Sequence, residues 1–335
     1  MKSSLLFAMI VSMLTCTQIV NAVVWQAPDI REGYEPSIMG ASKSDFPVTP
    51  FDGPHQKALT SPYVGNPDIN RSPVPEDKIL WSVDNPNYTP TEYTHPKLMG
   101  ESRPPYAQSE RVQEVLEAHE LGGIKSFYTI SWGGDEMRPL NPMGRTGLSG
   151  RGILGHWAAN PAVDALLLRE NPTTEDDVEI FLIWRRADAI HALPGGMQEK
   201  EELTAALKKE VHEEVGPELA TLLPAKQKTV IYRGYVDDPR NTDNAWMETT
   251  AFALFFNQDE AIKMPTKLSP TDTDEVDQSQ NGWFSLNSLR DSETNRIDGK
   301  KLYASHAHLV NQLFDPKHQE ALSALGMKPS TSHPR

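Results

Sequence analysis

Glu210, Glu213 and Glu214 fall within one turn of a would-be helix, downstream of the glycine pair Gly195-Gly196. Helix positions three and four apart share a face, so Glu210 points the same way as Glu213 and Glu214. Like charges so placed repel, and they sit at the C-terminal end of the helix, where the macrodipole also disfavours acids. A hard divalent cation removes both penalties, and magnesium is the usual one beside a phosphate. The ordinary alternative is a solvated helix with alternating charge, and Lys200, Glu201, Glu202, Lys208, Lys209 and Glu210 fit that pattern. The flanks decide for chemistry. Leu193-Pro194-Gly195-Gly196 reads as a turn that lets backbone approach a ligand closely, and Val215-Gly216-Pro217 reads as a helix stop.

These residues resemble the signature of the Nudix hydrolase family. From Gly195 the spacing runs through Glu201 to Lys209-Glu210-Val211-His212-Glu213-Glu214-Val215-Gly216-Pro217. Lys209 stands where the family has arginine, which loses the planar fork that grips a carboxylate twice. Pro217 replaces the last apolar residue, and counted from Gly196 the turn is one residue short. Three further blocks resemble the ADP-ribose pyrophosphatase branch: Asn141 to Gly152, Gly234 to Thr249, and Lys301 to His306. The region of Val74 to Lys78 and Trp81 fits as well. The same domain forms the ligand-sensing tail of a melastatin-type cation channel, so the branch includes a binding module as well as enzymes.

The resemblance implies Mg2+ or Mn2+ held by Glu210, Glu213 and Glu214, and hydrolysis of ADP-ribose to AMP and ribose 5-phosphate. Hydrolysis of another nucleoside diphosphate derivative is the alternative within the family. Catalytic roles are expected for Glu213, Glu214 and Glu275. Glu275 lies in an acidic loop with Asp272, Asp274 and Asp277, from which such enzymes often draw a base. Gly195 and Gly196 are expected to lie close to metal or phosphate. Arg145 and Arg151 could clamp phosphate, or bind backbone carbonyls to hold an irregular loop. Asp237, Asp238, Arg240, Asn241, Asp243 and Asn244 form a polar loop suited to a ribose, although Asp, Asn and Pro also make turns. Trp132, Trp157 and Trp246 are candidates for adenine stacking, though large aromatics more often pack in cores. Glu248 reads as a site acid or a structural partner, and His306 as a packed helix histidine.

The remaining sequence must position these groups. The chain has 335 residues, 38% of them hydrophobic, and a net charge of −14, which argues against a nucleic-acid partner. Residues 1–22 have a short basic start, an apolar run from Leu5 to Leu14 and a small-residue exit at Ala22. That pattern reads as a secretory signal peptide and is too short to span a bilayer. The expected destination is secretion or the secretory-pathway lumen. Mitochondrial import is the alternative, disfavoured because no arginine precedes Arg31. The single cysteine, Cys16, lies within this segment, so no disulfide framework is expected beyond it. Residues 23–110 are proline-rich and are expected to pack irregularly on the core; residues 111–320 form the Nudix domain, and 321–335 a tail. Helices are expected at Arg111 to Leu121 and Leu302 to Phe314. Strands are expected at Asp164 to Arg169, Val178 to Ala187, Thr229 to Val236, Ala245 to Phe256 and Trp283 to Leu286. Strands mixed with helices imply an α/β/α sandwich around a mixed sheet.

Overall fold

The computed structural model describes residues 48–51, 54–117, 126–134, 137–198, 202–265, 268–286 and 302–327. The leader assigned to residues 1–22 and Glu201 of the signature lie outside them.

The first strands belong to the periphery. β1 (Thr91–Thr94) pairs in parallel with β4 (Leu148–Gly152), and β2 (Ser131–Gly133) pairs with β3 (Arg138–Leu140). The central sheet is mixed and contains β5 (Ala158–Glu170), β6 (Val178–Arg185), β9 (Lys228–Tyr235), β10 (Ala245–Phe256) and β11 (Gly282–Ser285), in the order β11-β6-β5-β10-β9. Short strands β7 (Ile190–Ala192) and β8 (Gly195–Met197) attach to β6 and β5. β5 and β10 run parallel from Ala158↔Ala245 to Arg169↔Phe256; the other pairings within this sheet are antiparallel.

Alternation along the strands divides the core into two layers. Leu166, Leu168, Ile180, Leu182, Ala253 and Phe255 face one side. Val163, Ala165, Leu167, Phe181, Ile183, Leu254 and Phe256 face the other. The period of two sends successive side chains to opposite faces, so both faces of this sheet need a cover. On the second face lies α2 (Leu203–Glu214), followed by α3 (Pro217–Ala220). On the first lie α5 (His306–Asn311) and α6 (Gln319–Ala324) through Leu309, Val310, Leu313 and Leu322. The two smaller helices are α1 (Val112–Glu117) and α4 (Gln258–Lys263), the latter closed by an Asn257–Glu260 capping box. The result is the α/β/α sandwich expected.

Three local expectations change. Gly195 and Gly196 do not form a turn; they are the antiparallel strand β8, with Gly195 opposite Asp164 and Gly196 opposite Val163. The C-terminal helix starts at His306 and not at Leu302, because Leu302 instead bridges to His191. The expected helix at Arg111 runs as Val112–Glu117, and the rest of its span lies outside the described residues.

The described residues from 54 to 110 contain only short 3-10 turns and β1. They are fastened to the sheet by polar contacts. Arg71 donates to the carbonyls of Pro239 and Asn241, and the Trp81 indole N–H donates to the carbonyl of Asn141.

Candidate active site

Helix α2 carries one buried stripe: Leu203, Ala206, Leu207, Glu210, Val211 and Glu214. These positions recur at helical spacing, so the face that anchors the helix to the sheet also carries two carboxylates inward. Glu213 lies at the edge of the stripe and is partly exposed. Gly216, at φ 140°, takes a backbone conformation that a side chain would strain, and it ends the helix there.

Strand β8 meets this stripe. The Gly195 N–H donates to Oε2 of Glu214 at 2.8 Å. A Cβ on Gly196 would come within 2.4 Å of the Glu210 carboxylate, and one on Gly195 within 2.4 Å of the Val163 carbonyl oxygen. Both glycines are therefore required for close approach, between strand and helix and between two strands.

The acidic loop closes over the C-terminus of α2. Thr271 and Asp272 donate their N–H groups to the Glu213 carbonyl at 2.8 and 2.9 Å. Arg186 donates its N–H to the Glu275 carbonyl at 2.9 Å, which ties the loop to the end of β6. Glu275 is exposed at the cavity mouth beside Asp272. Asp277 instead turns back on Ser279 and Arg186.

Between these elements is a cavity of about 320 Å³. One wall holds Gly195, Gly196, Glu210, Glu213 and Glu214. Also lining the cavity are Asp238, Arg240, Tyr303, Ser305 and His306, together with Asp164, Thr249 and Arg185. Burial pushes the Glu214 carboxyl well above its ordinary range, and Glu210 and Glu275 push it further, against the Gly195 N–H and Arg185. Burial alone would raise Asp238, but Arg240, bonded to it through Nε and an Nη at 2.8 Å, brings its carboxyl down. Arg185 bonds through Nε to Asp188 at 3.0 Å and lies 4.5 Å from the Tyr303 ring centroid. Its terminal nitrogens have no hydrogen-bond partner among the described residues. His306 accepts the Leu193 N–H at Nδ1 (2.8 Å), so in the neutral ring Nε2 carries the proton, 3.5 Å from Asp164. Burial lowers the His306 pKa, against the pull of Asp164 and Asp238. Asp164 also accepts the Thr249 hydroxyl at 2.6 Å.

Among the described residues no three His, Cys, Asp or Glu side chains converge into a ready ligand cage. The donor set still fits a hard divalent cation in kind. Glu210 and Glu214 are buried carboxylates on one helix face, and the Glu214 carboxyl is raised first by burial and then by Glu210 and Glu275. Glu210 and Glu214, with Glu213 beside them, are the groups that would hold it. Lys209, 3.9 Å from Glu210, supplies a nearby positive charge from the exposed side.

The structure brings Glu210, Glu213, Glu214, Glu275, Gly195, Gly196, Asp238 and Arg240 together. The other residues expected to bind substrate do not line this cavity, and each has another partner. Arg145 donates to the carbonyls of Lys78, Leu80 and Val83 under Trp81, and Arg151 to those of Gly155 and Leu98. Asp237 accepts three backbone N–H groups from Gln56, Lys57 and Ala58. Asn241 binds Tyr235, Val236 and Met247; Asp243 binds Tyr88 and Thr146; Asn244 binds Gly150 and Pro139. Trp132, Trp157 and Trp246 pack in cores away from the cavity, and Glu248 is buried beneath Ser126, Phe127 and Trp246.

A loop, a helix ending in carboxylates and a sandwiched mixed sheet define a class, and the comparisons give the same one. Residues 159–305 match the model described as NUDIX domain, and residues 74–158 the one described as NUDT9-like, N-terminal domain. The chain belongs to the Nudix family and is a Nudix hydrolase acting on nucleoside diphosphate derivatives. Members of this family generally use divalent metals. Within it the chain is related to the ADP-ribose pyrophosphatases. The mitochondrial ADP-ribose pyrophosphatase of Rattus norvegicus is 34% identical over 299 residues, covering 79% of each chain. Putative nudix hydrolase 6 of Caenorhabditis elegans is 35% identical over 270 residues, 77% of this chain and 96% of that protein. Transient receptor potential cation channel subfamily M member 2 of Mus musculus is 32% identical over 233 residues, 64% of this chain and 15% of the channel.

Proposed function

We propose that the chain hydrolyses the pyrophosphate bond of ADP-ribose to AMP and ribose 5-phosphate, with Mg2+ or Mn2+ as cofactor. The carrying observation is a single cavity lined both by the carboxylates and by the Asp238–Arg240 pair, Tyr303 and His306. The carboxylates suit a divalent cation beside a diphosphate, and Asp238, Arg240, Tyr303 and His306 have acceptors and donors for sugar hydroxyls. A bound divalent cation would supply an activated water and neutralise charge on the diphosphate oxygens. The chain's own groups do the positioning. Glu210 and Glu214 would hold the cation, and the Gly195 N–H fixes the Glu214 carboxylate. Glu213 assists from the edge of the stripe, and Glu275, at the mouth, stands as the candidate base. Arg185, which lines the cavity, offers its terminal N–H groups to the diphosphate. Its Nε is paired with Asp188, so its terminal N–H groups carry that contact, whereas Arg240 places Nε and one terminal nitrogen on Asp238.

The non-catalytic reading, an ADP-ribose sensor, draws on the channel relative. The retained trio of glutamates speaks against it, since a sensor has no need of a cation cluster. The address in the rat relative's name supports the mitochondrial alternative for this chain, and no relative supports secretion. The test is incubation of the purified chain with ADP-ribose, with Mg2+ and with chelator, and chromatography of the products. Cation-dependent appearance of AMP and ribose 5-phosphate is expected. Binding without cleavage would establish the sensor, and equal efficiency on other nucleotide sugars would make the enzyme a broader one.

A further inference from the structure

Asp237 was expected to meet substrate, yet its carboxylate is turned away to three backbone N–H groups: Gln56 and Lys57 on Oδ2, and Ala58 on Oδ1, each at 2.8 Å. The same short segment reaches the neighbouring turn, where the Lys57 ammonium donates to the Ala304 carbonyl. The loop closes from the other side as well, because the Ser305 hydroxyl donates to the Asp237 carbonyl. Asp237 is followed directly by Asp238, which grips Arg240, and Ala304 is flanked by Tyr303 and Ser305, just before His306. Two stretches of the cavity lining, the Asp238–Arg240 loop and the Tyr303–His306 turn, are thus joined through Asp237 and Lys57, 180 residues apart in sequence.

Ala304 shows why such a tie matters. Its φ is 43°, in the left-handed region that residues with a Cβ seldom adopt. A conformation of that kind persists only where its surroundings over-determine it. On its outer side the turn is held by the Tyr303 N–H on the His191 carbonyl (2.9 Å) and by Leu193 on His306. On its inner side the contacts are those with Lys57 and Asp237.

We propose that Asp237 is a positioning residue. It seats residues 56–58 on the cavity rim so that Lys57 and Ser305 hold the Tyr303–His306 turn against the Asp238–Arg240 loop, and so sets substrate affinity. The carboxylate does this without touching substrate, and the kinetic part rests on the ADP-ribose reading above.

The experiment uses the full chain and three variants, Asp237→Ala, Asp237→Asn and Lys57→Met. Steady-state kinetics on ADP-ribose are paired with amide hydrogen exchange in the absence of ligand. For Asp237→Ala the expected result is a KM raised about tenfold with kcat within about twofold, because ground-state positioning is lost and the carboxylate wall is untouched. Exchange at residues 54–60 and at 303–306 should quicken together. Asp237→Asn keeps one carbonyl oxygen for the N–H groups and should restore part of both effects. Lys57→Met should quicken 303–306 alone, and it tests the tie even if Asp237→Ala fails to fold. Unchanged exchange at 303–306 in the variants, or a fall in kcat at constant KM, overturns the proposal. Exchange needs no substrate, so the tie stands or falls separately from the identity of the nucleotide.

Discussion

The backbone N–H of Gly195 donates to Oε2 of Glu214 at 2.8 Å, so the edge of a strand fixes the carboxylate of the helix packed beside it. That carboxylate is buried, and its pKa is raised first by burial and then by Glu210 and Glu275. Without a cation its ionised form is a source of instability. Glu214→Gln should therefore lower turnover by about two orders of magnitude or more while the fold is retained. In chelator its melting temperature should equal or exceed that of the parent chain. It should also lose the added stability that Mg2+ or Mn2+ gives the parent. Paired kinetic assays and thermal melts with and without cation check both parts; near-normal turnover would remove Glu214 from the metal set.

Gly196 has room for no side chain, since a Cβ there would lie 2.4 Å from the Glu210 carboxylate. Gly196→Ala should push Glu210 off its position and weaken divalent cation binding. Activity at limiting Mg2+ should fall about tenfold or more, with partial recovery at high Mg2+. A Mg2+ titration of the rate checks it. The same loss at every cation concentration would point to a collapsed strand rather than a displaced ligand.

Arg185 is the cavity guanidinium whose terminal N–H groups lack a hydrogen-bond partner among the described residues. Arg185→Met should remove charge-assisted contacts to the diphosphate and reduce kcat/KM by about ten- to a hundredfold. Arg185→Lys should retain part of this, because it keeps the charge and loses the fork. Kinetics of the two variants separate charge from geometry, and parent-like kcat/KM in Arg185→Met would exclude a phosphate contact.

The helix and its carboxylates could be read in the sequence because they are local: the spacing that buries Leu203, Ala206, Leu207 and Val211 also places Glu210 and Glu214. β10 could be read to its ends, since apart from Glu248 its residues form an apolar and β-branched run. The rest of the cavity lining was harder. Asp164, Arg185, Tyr303 and His306 meet only through sheet pairing and the packing of a distant turn, and periodicity does not report such contacts. One signal was present: Asp164 stands between Val163 and Ala165 in a buried strand, where an acid needs partners. In the loop from Asp237 to Asn244, residues that make turns and residues that bind sugars are the same types. Composition there could not separate Asp238 and Arg240, which face the cavity, from Asp237, Asn241, Asp243 and Asn244, which hold backbone. Gly195-Gly196 resembled a turn because glycine permits one; pairing with β5 used the missing side chains for close approach instead.

Glu248 gives a prediction about stability rather than catalysis. It is fully buried, accepts the Ser126 hydroxyl and Trp246 indole N–H on Oε1 and the Phe127 N–H on Oε2, and its carboxyl is pushed up by burial to about 7 from 4.5 despite those donors. A carboxyl whose folded pKa exceeds its unfolded one favours the fold most when protonated. Its contribution is complete below about pH 4.5 and is lost as pH rises through about 7. The size is on the order of 3 kcal/mol at most. Glu248→Gln removes this titration, so denaturant unfolding from pH 5 to 8 should show a flatter pH dependence in the variant than in the parent. The variant should also be less stable at the acidic end, because its amide must turn an N–H toward one of three donors, at a cost of about 1–3 kcal/mol. Parallel pH profiles for the two proteins would mean that the three donors hold Glu248 ionised throughout this range, and that burial is outweighed.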